Sequence, residues 1–319
     1  MRFPQSLDWQ RDAATWPHAD KSRFVSAGGW RWHVQEHRPN GLPAHGATPA
    51  EAGPAPPASV VLLLHGTGAS AHSWRALAPL LAERRHHVVV PDLPGHAFTR
   101  SERRGPLTLP AVAAALVSLL QTLQVRPHWI IGHSAGAAIA AQLCLGAVAG
   151  ELGAATPHAV IALNGAMLPL RGGAGSFFSP LARGLAMNPL VPHAFAWFAA
   201  QPSAARRLVH GTGSRLDAEG QALYGRLVRD PVHVAGALAM MASWNLEPLA
   251  QALPSLTVPL DLLVGEGDRT LPPAHAQDVR ALLPRARLAA LPGLGHLMHE
   301  EDAPAVLTAM ARLWPAIAG

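Results

Sequence analysis

Hydrophobic and polar positions along the chain fall into two regimes. Across residues 22–38 they alternate, with Phe24, Val25, Trp30, Trp32 and Val34 set around the pair Gly28 and Gly29. Alternation puts successive side chains on opposite faces of a strand, and a glycine pair accepts the backbone of a tight turn, so a β-hairpin is predicted. From Val60 the pattern changes to short, unbroken apolar runs at 60–64, 88–90, 129–131, 160–163 and 260–264, with a weaker one at 288–291. Runs without polar alternation are the mark of strands covered on both faces. Between them lie helical stretches at 73–84, 109–123, 135–149 and 273–283, with a last one at 304–317. In the clearest, Leu109, Val112, Leu116, Leu119 and Leu123 recur at three- and four-residue steps, and Thr108 is a candidate cap. Strands alternating with helices predict an α/β fold, a doubly wound and mostly parallel sheet.

Two intervals break the rhythm. Residues 39–59 are mostly Pro, Ala and Gly, which cannot build a core, and are expected to form an exposed loop between two strands. Residues 168–251 separate two strands where a single crossover helix would suffice, and they are rich in helix-compatible sequence and large apolar side chains. They are expected to form a helical cap over the C-terminal edge of the sheet, where open α/β sheets bind ligands. The expected organisation is therefore a core of residues 1–167 and 252–319 with the cap at 168–251.

Composition narrows the function classes. With 319 residues, 49% of them hydrophobic, the chain can bury a sizeable core and is too apolar to be disordered. The apolar stretch 111–120 falls short of the roughly 20 residues of a membrane span. Asp8 and Asp12 occupy an N-terminus without a secretory pattern, and Cys144 has no second cysteine to pair with, so a cytoplasmic protein is expected. The net charge is +5 and Lys21 is the only lysine. Basic residues occur as isolated pairs (Arg84 with Arg85, Arg103 with Arg104, Arg206 with Arg207), not as clusters interleaved with aromatics, so no nucleic-acid partner is expected. Weak attraction to an anionic surface or substrate is as much as this charge supports.

Gly132-His133-Ser134-Ala135-Gly136 directly follows one apolar run and precedes an Ala-rich helical stretch. That is the context of a nucleophile elbow, in which a sharp strand-to-helix turn lifts the Ser134 hydroxyl above the sheet edge. A serine needs a base oriented by a carboxylate, and in such folds the acid and then the histidine come later in the chain. Asp268 and His296 both follow predicted strands and so emerge at the same edge. Each has a rival. Ser134 could be an ordinary helix cap, although a cap needs no flanking glycines; Glu266 could replace Asp268; His299, beside a helix start, could replace His296. The oxyanion of acyl transfer needs two N–H donors, assigned to the backbone of Ala135 and of Thr67 in the turn His65-Gly66-Thr67-Gly68. His65 is expected to brace that turn, and His133 to pack.

No metal-binding motif, phosphate loop or dinucleotide fingerprint is present, so no metal and no cofactor are expected. Trp74, Phe177, Phe178, Trp197, Met240 and Met241 are the candidate contacts to an apolar small-molecule substrate. The alternative is that most of the cap residues among them form the cap's own core. Trp9, Trp16, Trp30 and Trp32 either pack the N-terminal arm onto the sheet or meet a bilayer as a peripheral membrane contact.

With these residues placed, the chain resembles the α/β-hydrolase superfamily. More narrowly it resembles the BchO-type magnesium-chelatase accessory proteins of bacteriochlorophyll biosynthesis. The blocks that carry the likeness include Trp16-Pro17, Trp32-His33-Val34-Gln35, His72-Ser73-Trp74-Arg75, Pro91-Asp92-Leu93-Pro94-Gly95-His96, Asn164-Gly165-Ala166, Met240-Met241-Ala242 and Gly295-His296-Leu297. Ala97 departs from the usual Gly-His-Gly turn, and the tract 39–59 replaces a short connection. The resemblance implies a role around magnesium insertion or a later step on the tetrapyrrole, with a tetrapyrrole as the substrate to expect and a contact with the magnesium chelatase. It supplies no reaction. Serine hydrolysis of an ester or related bond is the first expectation. Carbon–carbon bond hydrolysis and cofactor-free peroxidase chemistry would reuse the same residues, and a non-catalytic accessory role is the alternative of a different class.

Overall fold

The hairpin forms between β1 (Ser22–Ala27) and β2 (Trp30–His37), and its two-residue turn uses Gly28 at φ +57° and Gly29 at φ +83°. The computed structural model describes residues 6–39, 59–103, 105–145, 157–169, 188, 190–199, 201 and 203–317. Most of the Pro/Ala-rich tract, 40–58, lies outside them.

The six apolar runs are all strands: β3 (Val60–Leu64), β4 (His87–Pro91), β6 (Trp129–His133), β7 (Ala159–Leu163), β8 (Leu260–Gly265) and β9 (Leu288–Leu291). A two-residue β5 (Arg100–Ser101) pairs with β2. The sheet order is β1-β2-β4-β3-β6-β7-β8-β9, antiparallel at the two β2 junctions of this path and parallel from β4 to β9. The chain leaves β3 toward β4 on one side, and all strands from β6 onward add to the other. The loops after β3 and β6 therefore diverge at one sheet edge, opening the crevice in which such sheets bind ligands.

Both faces of the sheet are covered, which explains the absence of polar alternation. On one face Leu62, Leu64, Ile130 and Val160 pack under α2 (Leu109–Leu123) and α3 (Ala135–Leu143). On the other, Val61, Leu63, Trp129 and Ile131 pack under α1 (Leu77–Glu83) and the C-terminal helix Ala303–Leu313. Each fully buried aliphatic side chain contributes about 1.5–3 kcal/mol relative to exposure.

Boundaries differ from expectation where local chemistry intervenes. The stretch 73–84 divides into a 3-10 turn, Ala71–Trp74, and α1. Thr108 occupies the cap position of α2 without a side-chain cap bond; the proline in the first turn needs no N–H acceptor. The last helix ends at Leu313, since Pro315 cannot continue it. Of the stretch 135–149, residues 146–149 lie outside the described residues. Ala97 adopts φ +40°, the left-handed conformation that a glycine would take, with its N–H donating to His233 Nδ1 at 3.0 Å. The turn is thus kept at a cost of about 1–2 kcal/mol.

Between β7 and β8 the regular elements among the described residues are all helical, the longer ones being α4 (Leu190–Phe198), α5 (Ala204–Gly211), α6 (Ala218–Val228), α7 (Pro231–Ser243) and α8 (Glu247–Ala252). The N-terminal tryptophans pack inward. Trp16, Trp30 and Trp32 are buried, and Trp9 sits edge-on to Phe24 and Phe98. Of the two readings of this arm, packing accounts for Trp16, Trp30 and Trp32, while Trp9 stays half-buried.

Candidate active site

Ser134 occupies the one-residue junction between β6 and α3, at φ +51° and ψ −117°. Only small residues allow this turn. A Cβ on Gly132 would lie 2.4 Å from the Gly136 carbonyl oxygen, and one on Gly136 would lie 2.1 Å from that of Leu64. Ser134 stands at the N-cap position of α3 but makes no side-chain cap bond to it. Its backbone is held from β7: its N–H donates to Leu163 O at 3.0 Å, and its carbonyl accepts from Ala166 N–H at 3.0 Å. Backbone strain of this kind costs about 1–3 kcal/mol and persists only where the surroundings enforce it.

Asp268 and His296 meet at the same edge. Asp268 Oδ2 lies 2.7 Å from His296 Nδ1, while Oδ1 accepts the backbone N–H groups of Thr270 at 2.7 Å and Leu271 at 2.9 Å. A carboxylate only accepts, so the proton of this bond sits on Nδ1 and the free lone pair of the neutral imidazole is on Nε2. The rivals separate cleanly. Glu266 is exposed, whereas His299 is fully buried with Nε2 on Ser73 Oγ at 2.8 Å. Burial holds the His299 pKa down to about 3. Ser134 and His296 line one cavity, although no hydrogen bond joins their side chains among the described residues. In unliganded sites such bonds are often long and tighten when substrate binds.

Asn164 was not singled out as a site residue by motif reasoning. It lies just past β7 at φ +44°, a conformation asparagine tolerates better than most residues. Its Nδ2 donates to the carbonyls of Gly295 at 3.0 Å and His296 at 2.8 Å, and its Oδ1 accepts from Gly265 N–H at 2.9 Å. One buried side chain thereby ties the end of β8, which leads to Asp268, to the loop that carries His296. The only sequence signal was its place in the block Asn164-Gly165-Ala166, which says nothing of hydrogen bonds.

His133 adds a second support, its Nε2 donating to the His296 carbonyl at 2.9 Å. Burial, with His299 and His296 nearby, pushes its pKa well below the usual value, so the ring is neutral. Beneath lies buried Glu300, which accepts from Ser73 Oγ at 2.7 Å and Tyr224 Oη at 2.8 Å and pairs with Arg75. Burial raises the Glu300 pKa, with Arg75, Ser73 and Tyr224 opposing. Tyr224, the only tyrosine, stands on the cavity wall.

The turn after β3 reaches the serine: a Cβ on Gly66 would meet Ser134 Cβ at 3.0 Å. His65 braces this turn through Nδ1 to Gly66 O at 2.8 Å and through Nε2, which accepts Leu93 N–H at 2.8 Å. Thr67 and Ala135 both line the cavity. As the first residue of α3, Ala135 has no intrahelical acceptor for its N–H.

The cavity measures about 650 Å³ and its walls are mainly apolar. Met241 lines it. Met240 is buried beneath the wall, with its Sδ accepting from Thr67 Oγ1 at 3.6 Å. Two other expected contacts are corrected. Trp74 is fully buried and packs on the His299 ring at 4.4 Å, because the turn Ala71–Trp74 directs it into the core. Trp197 is on the outer face of α4, 60% exposed and off the cavity wall. Phe177 and Phe178 lie outside the described residues. Sequence reasoning passed over Leu208, Val209, Tyr224 and Val228, which α5 and α6 bring to the cavity, and Arg269 at its rim. Among the described residues no group of three or more His, Cys, Asp or Glu is placed to hold a metal ion, and no helix is long and apolar enough to cross a membrane.

Known proteins share this architecture. The alpha/beta hydrolase family profile matches residues 61–309. The magnesium-chelatase 30 kDa subunit of Rhodobacter capsulatus is 44% identical over 242 residues, 76% of this chain and 81% of that protein. A pimeloyl-[acyl-carrier protein] methyl ester esterase of Aromatoleum aromaticum is 30% identical over 267 residues, covering 79% of this chain and 98% of its own. Among solved structures, an alpha/beta hydrolase fold protein from Burkholderia ambifaria superposes with a TM-score of 0.69 at 20% identity, over 92% of this chain and 98% of its own. A thermophilic esterase from Thermogutta terrifontis gives 0.66 at 19% identity, over 93% and 100%.

Proposed function

Given that the chain belongs to the alpha/beta hydrolase family, we propose that it is a serine hydrolase acting on an ester or related acyl bond of an apolar substrate, linked to bacteriochlorophyll synthesis around magnesium insertion. The observation that carries this reading is the 2.7 Å bond between Asp268 and His296 in a histidine that shares a cavity wall with the strained Ser134. Ser134 Oγ attacks the acyl carbon while His296 Nε2 takes its proton, and Asp268 holds the ring and stabilises the imidazolium. The N–H groups of Thr67 and Ala135 receive the oxyanion. His296 then returns the proton to the leaving oxygen, and a water activated by the same nitrogen releases the acyl group. The helices within 168–251 serve as a cap over the core of 1–167 and 252–319, and Met241, Leu208 and Trp244 take the apolar body of the substrate.

The pathway assignment rests on the 44% identity to a protein named as a magnesium-chelatase subunit, with a tetrapyrrole as substrate class and the chelatase as partner. That name also favours a second reading, an accessory protein that binds without turnover. A fluorophosphonate probe separates the two. Labelling of the wild-type protein at Ser134, lost in Ser134→Ala, supports the hydrolase; an unlabelled, folded wild-type protein supports the accessory role.

A further inference from the structure

Helix α4 is built inside out. Pro192 and Ala196, one turn apart, face inward and are buried, while Leu190, Trp197 and Phe198 on the opposite side are 73%, 60% and 57% exposed. Phe195 adds to this face at 38%. A surface helix of a water-soluble protein normally shows the reverse, with large apolar side chains inward and polar ones outward. Here the small residues serve the packing against α7, and the large ones are left in solvent. Val232, in the first turn of α7, is exposed as well.

Charge indicates what such a face would meet. From Asn188 to Leu216 the sequence has Arg206, Arg207 and Arg215 and not one Asp or Glu, although the whole chain holds 20 acidic residues. Arg206 and Arg207 are exposed on α5, next to Leu208, which is 46% exposed and also lines the cavity. An apolar helix face accompanied by arginines, with no acidic residue to repel phosphate, matches the boundary between acyl chains and anionic headgroups. A protein partner would ordinarily be met with charges of both signs around the rim.

We propose that α4 docks the protein on an anionic lipid surface, with Leu190, Trp197 and Phe198 entering the acyl boundary and Arg206 and Arg207 meeting headgroup phosphates. Tryptophan is the side chain best suited to that depth. The docked helix precedes α5, whose Leu208 forms part of the cavity wall, so an apolar ligand dissolved in the lipid would reach the cavity with little passage through water. The inference stands on this surface alone and does not depend on Ser134 being a nucleophile.

The test is co-sedimentation of the full chain with vesicles of equal parts phosphatidylcholine and phosphatidylglycerol, against vesicles of phosphatidylcholine alone. The mixed vesicles should pellet the protein, and raised salt should weaken the binding. Trp197→Ser combined with Phe198→Ser should reduce binding by roughly tenfold or more. Both side chains are more than half exposed, so circular dichroism and thermal melting should match the wild type. Arg206→Gln combined with Arg207→Gln should remove most of the preference for anionic vesicles. The proposal is overturned if mixed vesicles fail to pellet the wild type, or if the Trp197/Phe198 variant binds as well as wild type. It is also overturned if light scattering shows a dimer in solution that this variant dissolves, since a second copy would then be the occupant.

Discussion

The side-chain amide of Asn164 donates to the backbone carbonyl of His296 at 2.8 Å, and its oxygen accepts the N–H of Gly265 at 2.9 Å. The His296 carbonyl takes a second bond from His133 Nε2 at 2.9 Å, so both of its lone pairs are used. The backbone of the proposed base is thereby fixed from two sides at once, from β6 through His133 and from the turn after β7 through Asn164.

Removing that tie should misplace His296 without emptying the site. Asn164→Ala loses three buried hydrogen bonds and puts an alanine at φ +44°, so the second-order rate of fluorophosphonate labelling should fall about 10–100-fold. Stability should fall by about 1–3 kcal/mol for the buried groups left unpaired. Asn164→Asp keeps the acceptor for Gly265 but turns an oxygen toward two carbonyls, and should label no faster than the alanine variant. Wild-type labelling rates in both would refute the positioning role.

The strain at Ser134 makes an opposite prediction for stability. Ser134→Gly relieves a conformation at φ +51° that L-residues resist, and so should stabilise the fold by about 1 kcal/mol after the extra entropy of glycine in the unfolded chain is counted. Ser134→Ala keeps the strain and should melt close to wild type. Neither variant should label. A glycine variant that melts below the alanine variant would show that the turn stores no strain.

Buried histidines should make the protein labile to acid. Burial lowers the pKa of His65, His72, His96, His133 and His299 from 6.5, in His299 to about 3. One ring nitrogen in each of the last four is buried with no hydrogen-bond partner, so an added proton would find no acceptor there. The unfolded chain takes up protons below about pH 6.5 and the folded one does not; stability is therefore full above that pH and is lost as pH falls toward the folded values, by about 1.4 kcal/mol per pH unit for each histidine. Glu36 and Asp92, both lowered to about 2, act in the same direction below pH 4.5. Burial alone would raise these two carboxyls, but His87 and Arg23 around Glu36, and His33 with backbone donors around Asp92, outweigh it. Against a typical stability of about 5–15 kcal/mol, losses of this size lower the melting point as pH falls below about 6.5. Thermal melts followed by far-UV circular dichroism across pH 7 to 3 check this, and a melting point that does not fall across that range would contradict it.

The features legible in the sequence were those set by local pattern. Runs such as 60–64 and 129–131 read as strands covered on both sides, and the glycines around Ser134 fit a turn that excludes Cβ atoms. Spacing and strand order were enough to bring Asp268 and His296 to one edge, because in a parallel sheet every loop that follows a strand leaves from the same side. Trp74 shows the limit. An aromatic residue next to the turn could face the cavity or the core, and a short 3-10 segment turned it to the core.

Sequence by itself determined the α/β class, the strand and helix order and the residue types capable of nucleophilic chemistry, since these follow from periodicity and from the steric demands of single turns. Tertiary structure set His296, not His299, against Asp268, left Glu266 exposed, and brought Asn164, His133 and Tyr224 to the proposed site. The same holds for the exposed face of α4, whose apolar residues read from sequence like any core-facing helix. The physical reason is shared: a hydrogen bond between residues 28 or 132 positions apart, or the side from which a helix is covered, depends on how distant segments pack, and no local pattern encodes that.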